Sequence, residues 1–266
     1  MELPSYLNRC LNSCFKANCQ FRGTWHLKEH FAQFQLINIG PDIMSDGDSM
    51  RIPAIAAQTY DQCKNSPILG QIWKKMITAI AKIGDPIMRI RFTHDAVDKS
   101  LEELFCNPVV SKHVSCKKGC SGCCYTQVSV TRDEAALLAQ IAQSKLKNKI
   151  DLERLEKQAR AGDSAADWYK LAYSDRRCMF LDTNNECMAY ADRPSVCRTN
   201  YVFSPAILCD TRDGLEHPIR LLTTEEANMV VAASFMSAKE TGALPYMLWK
   251  TFLERRKISK QFSLSR

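Results

Sequence analysis

Residues 115 to 134, SCKKGCSGCCYTQVSVTRDE, hold Cys116, Cys120, Cys123 and Cys124 within nine positions, and Cys178, Cys187, Cys197 and Cys209 follow at long range. Thiolates are soft donors that suit zinc, iron and iron–sulfur clusters, so eight sulfurs of one chain can converge on metal. Disulfide bonding is the competing use of cysteine. The chain has 13 cysteines, an odd number that forbids complete internal pairing. The N-terminal MELPSYLNRCLNSC lacks the apolar core of a signal peptide, and the longest apolar run, MVVAASFM, is far too short to span a bilayer. A cytoplasmic location without a membrane span is therefore expected, where clustered thiols serve as metal ligands or redox groups.

Spacing refines this expectation. Cys120 and Cys123 are two residues apart, the separation at which a backbone knuckle wraps one ion, and Gly119 and Gly122 permit the tight turns it needs. Further on, RRCMFLDTNNECMAY reads as a β-hairpin with turn chemistry at Asp182 to Asn185. An even loop centred between Thr183 and Asn184 pairs Leu181 with Glu186 and Phe180 with Cys187. Cys178 then faces the same side as Cys187, roughly 7 Å away as a diagonal neighbour; an odd loop breaks this register. Cys123 and Cys124 are consecutive and, in an extended segment, point opposite ways. Either one is a ligand and the other packs in the core, or two sites flank the segment. In ADRPSVCRTNY, Pro194 suits the first position of a helical turn that contains Cys197, and Arg193 and Arg198 bring positive charge toward the sulfurs.

Other candidates read more plainly. Cys10, Cys14 and Cys19 with His26 and His30 read as incidental. His94, His113 and His217 are isolated and fit surface or hydrogen-bonded core roles, His113 being nearest a cysteine. Asp133, Glu134, Asp182 and Glu186 lie near the thiols, yet helix capping and turn formation account for them. No nucleophile elbow, phosphate-binding loop or HExxH pair is present. The net charge of +7 arises from 36 basic and 29 acidic residues that are mostly interspersed, so nucleic acid is not expected as a partner.

The elements that must position the cysteines are mainly helical. With 45% apolar and 24% charged residues the chain should fold. PILGQIWKKMITAIAKI places Ile68, Ile72, Met76, Ile80 and Ile83 on one stripe that Gly84 ends, and a second helix from Pro86 carries Ile90, Val97, Leu101 and Leu104 up to Asn107 and Pro108. YTQVSV alternates like a short strand. Capping boxes at Thr131/Glu134 and Thr223/Glu226 open helices, DLERLEKQARAGD and SAADWYKLAY extend the helical middle, and LPYMLWKTFLERR forms the last helix. The expected class is mostly α with small β elements (α+β), a single helical domain built around a cysteine metal-binding core. Residues 1–49 read as an extension. The cysteine-cluster domain spans 50–266, with its metal-binding core at 113–210 and flanking helices at 67–106 and 223–256.

The segment CKKGCSGCCYTQVSVTRDE followed by RRCMFLDTNNECMAYADRPSVCR resembles the CxxCxxCC cysteine-cluster family of the YkgJ type, a zinc- or iron-chelating domain. The resemblance covers residues 116 to 209, and it departs from the signature in placing three residues between Cys116 and Cys120. It implies that these eight cysteines bind zinc or iron, including as an iron–sulfur cluster. Relatives include the flagellin lysine methylase FliB, which brings in an enzyme reading, either S-adenosylmethionine-dependent methyl transfer or redox chemistry. No glycine-rich strand-to-helix turn for such a nucleotide is present. A zinc-stabilised nucleic-acid or protein adaptor is the third class. Four thiolates make a closed structural zinc site, whereas eight thiols also suffice for two ions, one on each side of the adjacent pair.

Overall fold

The computed structural model of the protein describes residues 52–215 and 217–264, with side chains to residue 256. Residues 1–49, with Cys10, Cys14, Cys19, His26 and His30, lie outside the described residues.

Ten helices and a two-stranded sheet follow in order among the described residues: α1 (Ala54–Cys63), α2 (Leu69–Ala81), α3 (Pro86–Phe105), α4 (Pro108–His113), β1 (Ser129–Thr131), α5 (Arg132–Ser144), α6 (Leu152–Arg160), α7 (Ala165–Lys170), α8 (Ser195–Thr199), α9 (Glu225–Ser237), β2 (Thr241–Ala243) and α10 (Leu244–Leu264). The class is mostly α with small β elements, as the sequence predicts. Among these described residues no helix is long and apolar enough to cross a membrane.

Punctuation in the sequence sets most boundaries. Asp85 caps α3 by accepting the Met88 N–H, with Pro86 pre-set for the first turn, and Asn107 caps α4 through the Val109 N–H ahead of Pro108. Thr131 and Glu134 form the expected capping box at α5. The box expected at Thr223 and Glu226 does not form: α9 starts at Glu225 behind Thr224, whose side chain makes no cap bond. The α2 stripe is also narrower than expected. Met76 and Ile80 are buried, but Ile68 lies before the helix and is 70% exposed.

Packing divides into two apolar clusters. In the first, α10 lies against α5 and α6, with Leu138, Ile141, Leu155, Phe180, Met247 and Leu248 at its centre; Cys178 and Cys187 pack on its margin. In the second, α9 is surrounded by α1, α2 and α3, so every residue from Ala227 to Phe235 is buried, as a helix apolar all round requires. Cys116, Val196 and Phe203 pack on that cluster's margin. The clusters meet where α3 packs against α5. There Arg89 grips Asp133 through two bonds, Nε to Oδ2 at 2.6 Å and Nη2 to Oδ1 at 3.0 Å.

The sheet pairs β1 with β2 antiparallel, matching Ser129 to Ala243 and Thr131 to Thr241. β1 covers only the end of YTQVSV, and with Val130 and Thr131 both buried the expected alternation is not realised. β2 is three residues between two helices and carries no periodic signal of its own.

Candidate metal centre

The cluster segment leaves α4 in extended form and is tied to the 200–203 stretch. Ser115 N donates to Val202 O at 2.8 Å, and the Val202 N–H donates in turn to Cys116 Sγ at 3.4 Å. Gly119, at φ +82°, then reverses the chain, a backbone state that costs a residue with a Cβ. Gly122 to Tyr125 form a 3₁₀ turn, and Trp168 Nε1 anchors its exit by donating to Tyr125 O at 3.1 Å. Gly122 serves a different purpose from Gly119. A Cβ there would stand 2.8 Å from Cys209 Cβ and 3.0 Å from the Cys209 carbonyl, so only glycine lets the 3₁₀ segment Ala206–Cys209 close against this turn.

From the other side, Cys178 N donates to Cys124 O at 2.8 Å, which docks the 178–187 loop on the same turn. The hairpin differs from the expected register. Leu181 pairs with Cys187, and Met188 N donates to Phe180 O, so the loop is odd and the Leu181–Glu186 and Phe180–Cys187 pairings do not occur. The reason is local chemistry. Asp182 Oδ1 accepts the N–H groups of both Asn184 and Glu186, and Asn185 takes φ +60°, adding one residue to the turn. Cys178 escapes the consequence because it sits in a turn of its own, with Leu181 N donating to Cys178 O, and it still lies within electrostatic reach of Cys187.

Cys197 rides on α8, which Pro194 precedes as N-cap instead of occupying the first helical position. Two buried groups hold this helix. Glu134 Oε1 accepts the Ser195 N–H at 2.7 Å while its Oε2 accepts the Thr131 N–H at 2.8 Å. Arg198 donates to Asp98 Oδ2 at 2.5 Å, to Ala191 O and to Arg193 O, and faces His94 Nδ1 at 3.3 Å. A guanidinium only donates, so Nδ1 is the acceptor and the His94 proton sits on Nε2, 3.5 Å from Glu134 Oε1. His94 is thus the hydrogen-bonded core histidine expected of it. Arg198 is a structural brace rather than a cation beside sulfur, which corrects the role expected for it.

Arg193 does face the thiols. It stacks over the rings of Tyr190 and Tyr201, at 4.3 and 5.9 Å from their centroids, and donates to Tyr201 Oη. Burial would weaken its charge, yet Tyr201, Tyr190 and Cys197 together hold its pKa above the usual value. Its charge in turn draws down the pKa values of Cys116, Cys123, Cys187 and Cys197.

All eight cysteines are free thiols, each partly exposed as a residue. Cys123 and Cys124 do not lie in extended chain, and the expectation of opposed side chains fails: in the 3₁₀ turn the Cys124 thiol hydrogen-bonds the Cys123 sulfur. That bond, with help from Arg193 and the Asn200 side chain, lowers the Cys123 pKa despite burial, and the same bond with desolvation raises that of Cys124. Burial pushes the Cys178 thiol up to about 12 and that of Cys209 to about 11, and raises Cys116, Cys187 and Cys197 as well. Thiolate repulsion adds to this in a pattern. Cys124 feels Cys123, Cys178 and Cys197, and Cys197 feels Cys123, Cys178 and Cys187; Cys209 feels Cys123, Cys120 and Cys116. Cys123 is common to both neighbourhoods.

The remaining candidates are placed simply. Asp182 and Glu186 shape the loop, Glu186 also meeting Lys118 at 3.3 Å, and His217 pairs with Asp213 at the surface. His113 lines an open groove with Lys112, Lys117, Lys118 and Cys120. Asn200 and the second bond of Glu134 had no signal in the sequence beyond the capping pattern at Glu134.

Cysteines from several stretches of the chain thus gather about the Gly122–Tyr125 turn, with the Arg193 guanidinium near Cys116, Cys123, Cys187 and Cys197. Residues 115–217 match the model of the CxxCxxCC family, described as a "putative zinc- or iron-chelating domain". No curated protein and no solved structure matches the chain. The donor set fits such an ion in type and number, and the burial that raises Cys116, Cys178, Cys187, Cys197 and Cys209, with a smaller addition from neighbouring thiolates, is a cost that a bound divalent cation offsets. No three His, Cys, Asp or Glu side chains among the described residues are arranged to hold an ion.

Proposed function

We propose that this protein binds zinc or iron through the thiolates of Cys116, Cys120, Cys123, Cys124, Cys178, Cys187, Cys197 and Cys209, iron including the form of an iron–sulfur cluster. The observation that carries this reading is the docking of three separated segments on the Gly122–Tyr125 turn. Cys209 packs on Gly122, the Cys178 N–H binds Cys124 O, and Asn200 reaches Cys123 from the chain that follows α8. A domain of this size does not need sulfur cross-links for stability, so convergence of thiols from four stretches is best explained by a common ligand. The bound ion supplies charge to hold the thiolates and, if it is an iron–sulfur cluster, an electron-transfer centre. The protein's own groups contribute Arg193, which offsets sulfur charge, and the Glu134–Ser195 bond, which orients Cys197.

Purification without oxygen, followed by an ultraviolet–visible spectrum and assays of zinc, iron and sulfide on one sample, tests the reading. Stoichiometric zinc in a colourless protein, or broad visible absorbance with matching iron and sulfide, is expected. A folded protein that retains neither metal, and takes up neither when reduced and reconstituted, overturns it.

A further inference from the structure

We propose that the open groove beside the cysteine turn, edged by Lys112, His113, Lys117 and Lys118, is a docking surface for an acidic segment of a partner protein that also carries apolar side chains. Such docking is independent of which ion the cysteines hold.

The fold fixes the walls of this groove. It encloses about 590 Å³ among the end of α4, the extended segment through Gly119 and the start of the Ala206–Cys209 segment. Ser115 holds the extended segment to the 202–203 stretch, its N–H donating to Val202 O at 2.8 Å and its hydroxyl to Phe203 O at 3.2 Å. Gly122 lets Ala206–Cys209 close on the turn that follows. The surface is therefore preformed, and a partner meets it without first ordering it.

Its charge is one-sided. Residues 105–131 and 193–209, which supply every lining residue, contain no aspartate or glutamate. Lys118 meets Glu186 at 3.3 Å, while Lys112, His113 and Lys117 have no carboxylate partner among the described residues. A basic last turn complements the free carbonyls of α4 and so accounts for Lys112 and His113. It does not account for Lys117 and Lys118, which lie beyond the helix.

Exposed apolar residues flank the charge. Val109 shares the outer face of α4 with Lys112 and His113, while Val110 turns inward. Val109 is 63% exposed, and Ile207, next to the lining residue Ala206, is 70% exposed. Large apolar side chains beside lysines suit a protein partner, for which apolar contact and charge complementarity act together. Other anions fit less well. No Phe, Tyr, Trp or Arg lines the groove, so it lacks both the stacking platform of a single-strand reader and the planar fork that grips a phosphate.

A dye-labelled peptide of glutamates interspersed with leucines is the probe, followed by fluorescence anisotropy with the full-length protein. Its affinity should exceed that of the same peptide with glutamine for glutamate. It should also fall as salt rises from about 0.01 to about 0.15 M, over which the screening length drops from about 30 to about 8 Å. Lys112→Glu/Lys117→Glu should weaken binding about tenfold, since each reversal turns an attraction into a repulsion. Lys74→Glu/Lys75→Glu, at exposed positions of α2 that do not line the groove, makes the same change to the net charge of +7 and should leave the affinity as it was. Equal weakening by the two variants means that the peptide follows net charge alone and overturns the proposal, as does equal affinity for the glutamate and glutamine peptides. Displacement of the peptide by inorganic phosphate at constant ionic strength overturns it in favour of a small anion. Tighter binding of a single-stranded oligonucleotide of equal charge, lost in Lys112→Glu/Lys117→Glu, overturns it in favour of nucleic acid. Should that variant fail to fold by circular dichroism, Lys112→Gln/Lys117→Gln takes its place and should weaken binding in the same direction.

Discussion

Glu134 Oε1 accepts the Ser195 N–H at 2.7 Å, joining the helix that follows the cysteine cluster to the helical turn that carries Cys197. The carboxylate is fully buried and also caps its own helix through Thr131. Burial alone would raise its pKa, but His94 and the N–H groups of Ser195 and Thr131 bring it below the usual carboxylate value. Glu134→Ala strands these donors at once and should cost about 3 kcal/mol or more in urea unfolding. Glu134→Gln keeps an acceptor and should cost less. A depressed pKa makes the contribution complete above about pH 4.3, the ordinary glutamate value, and lost as pH falls through the folded one. The stability curve of Glu134→Gln should therefore be flatter than wild type on its acid limb.

The thiols give the opposite sign at the alkaline end. Cys178 and Cys209 are raised to about 12 and about 11 when metal-free, so their neutral forms favour the fold. That contribution is full below about pH 8.5, where unfolded cysteine begins to ionise, and is lost as pH rises toward 12. Metal-free protein should lose stability across that window in thermal unfolding. Metal-loaded protein, whose sulfurs are already thiolates, should not, and loading it at pH 7 should release protons measurable in weakly buffered solution.

Much of this was legible because punctuation is local. Pro86 and the Thr131/Glu134 box act within a few residues, and the sequence alone could place α3 and α5 by them, whereas Pro108, read only as the stop of α3, also opens α4. The hairpin register could not be read, since it turned on whether Asp182 would accept two N–H groups and stretch the loop by one residue. Nor could the tasks of Arg193 and Arg198 be separated, because both flank the same short helix and only the position of Asp98, 100 residues away, draws Arg198 off to a brace. The strand Thr241–Ala243 exists through its partner β1 and has no pattern to read.

Gly119 and Gly122 look alike in sequence and should behave differently. At Gly119 an added Cβ meets nothing within 4 Å, so Gly119→Ala carries only the strain of a left-handed backbone, about 1 kcal/mol. Gly122→Ala drives a Cβ into Cys209 and its backbone. It should displace the Ala206–Cys209 segment, lower the melting temperature further than Gly119→Ala, and reduce metal retention after dialysis against a weak chelator. Equal metal retention in the two variants would mean that Cys209 is not held by this contact.

Arg193 provides a separate handle on the thiols because it offsets their charge without being a ligand. Its guanidinium lowers the pKa values of four of them, most directly at Cys123, where it adds to the bond from Cys124. Arg193→Gln removes that charge while leaving a polar group that can still donate to Tyr201. Cation removal is worth about one pKa unit, so alkylation of metal-free protein by iodoacetamide at pH 6, below the Cys123 value of about 7, should slow by about tenfold at Cys123. Metal should also bind more weakly, since the thiolates would gather without a neighbouring positive charge. An unchanged alkylation rate in a folded Arg193→Gln protein would show that the bond from Cys124 alone sustains the Cys123 thiolate.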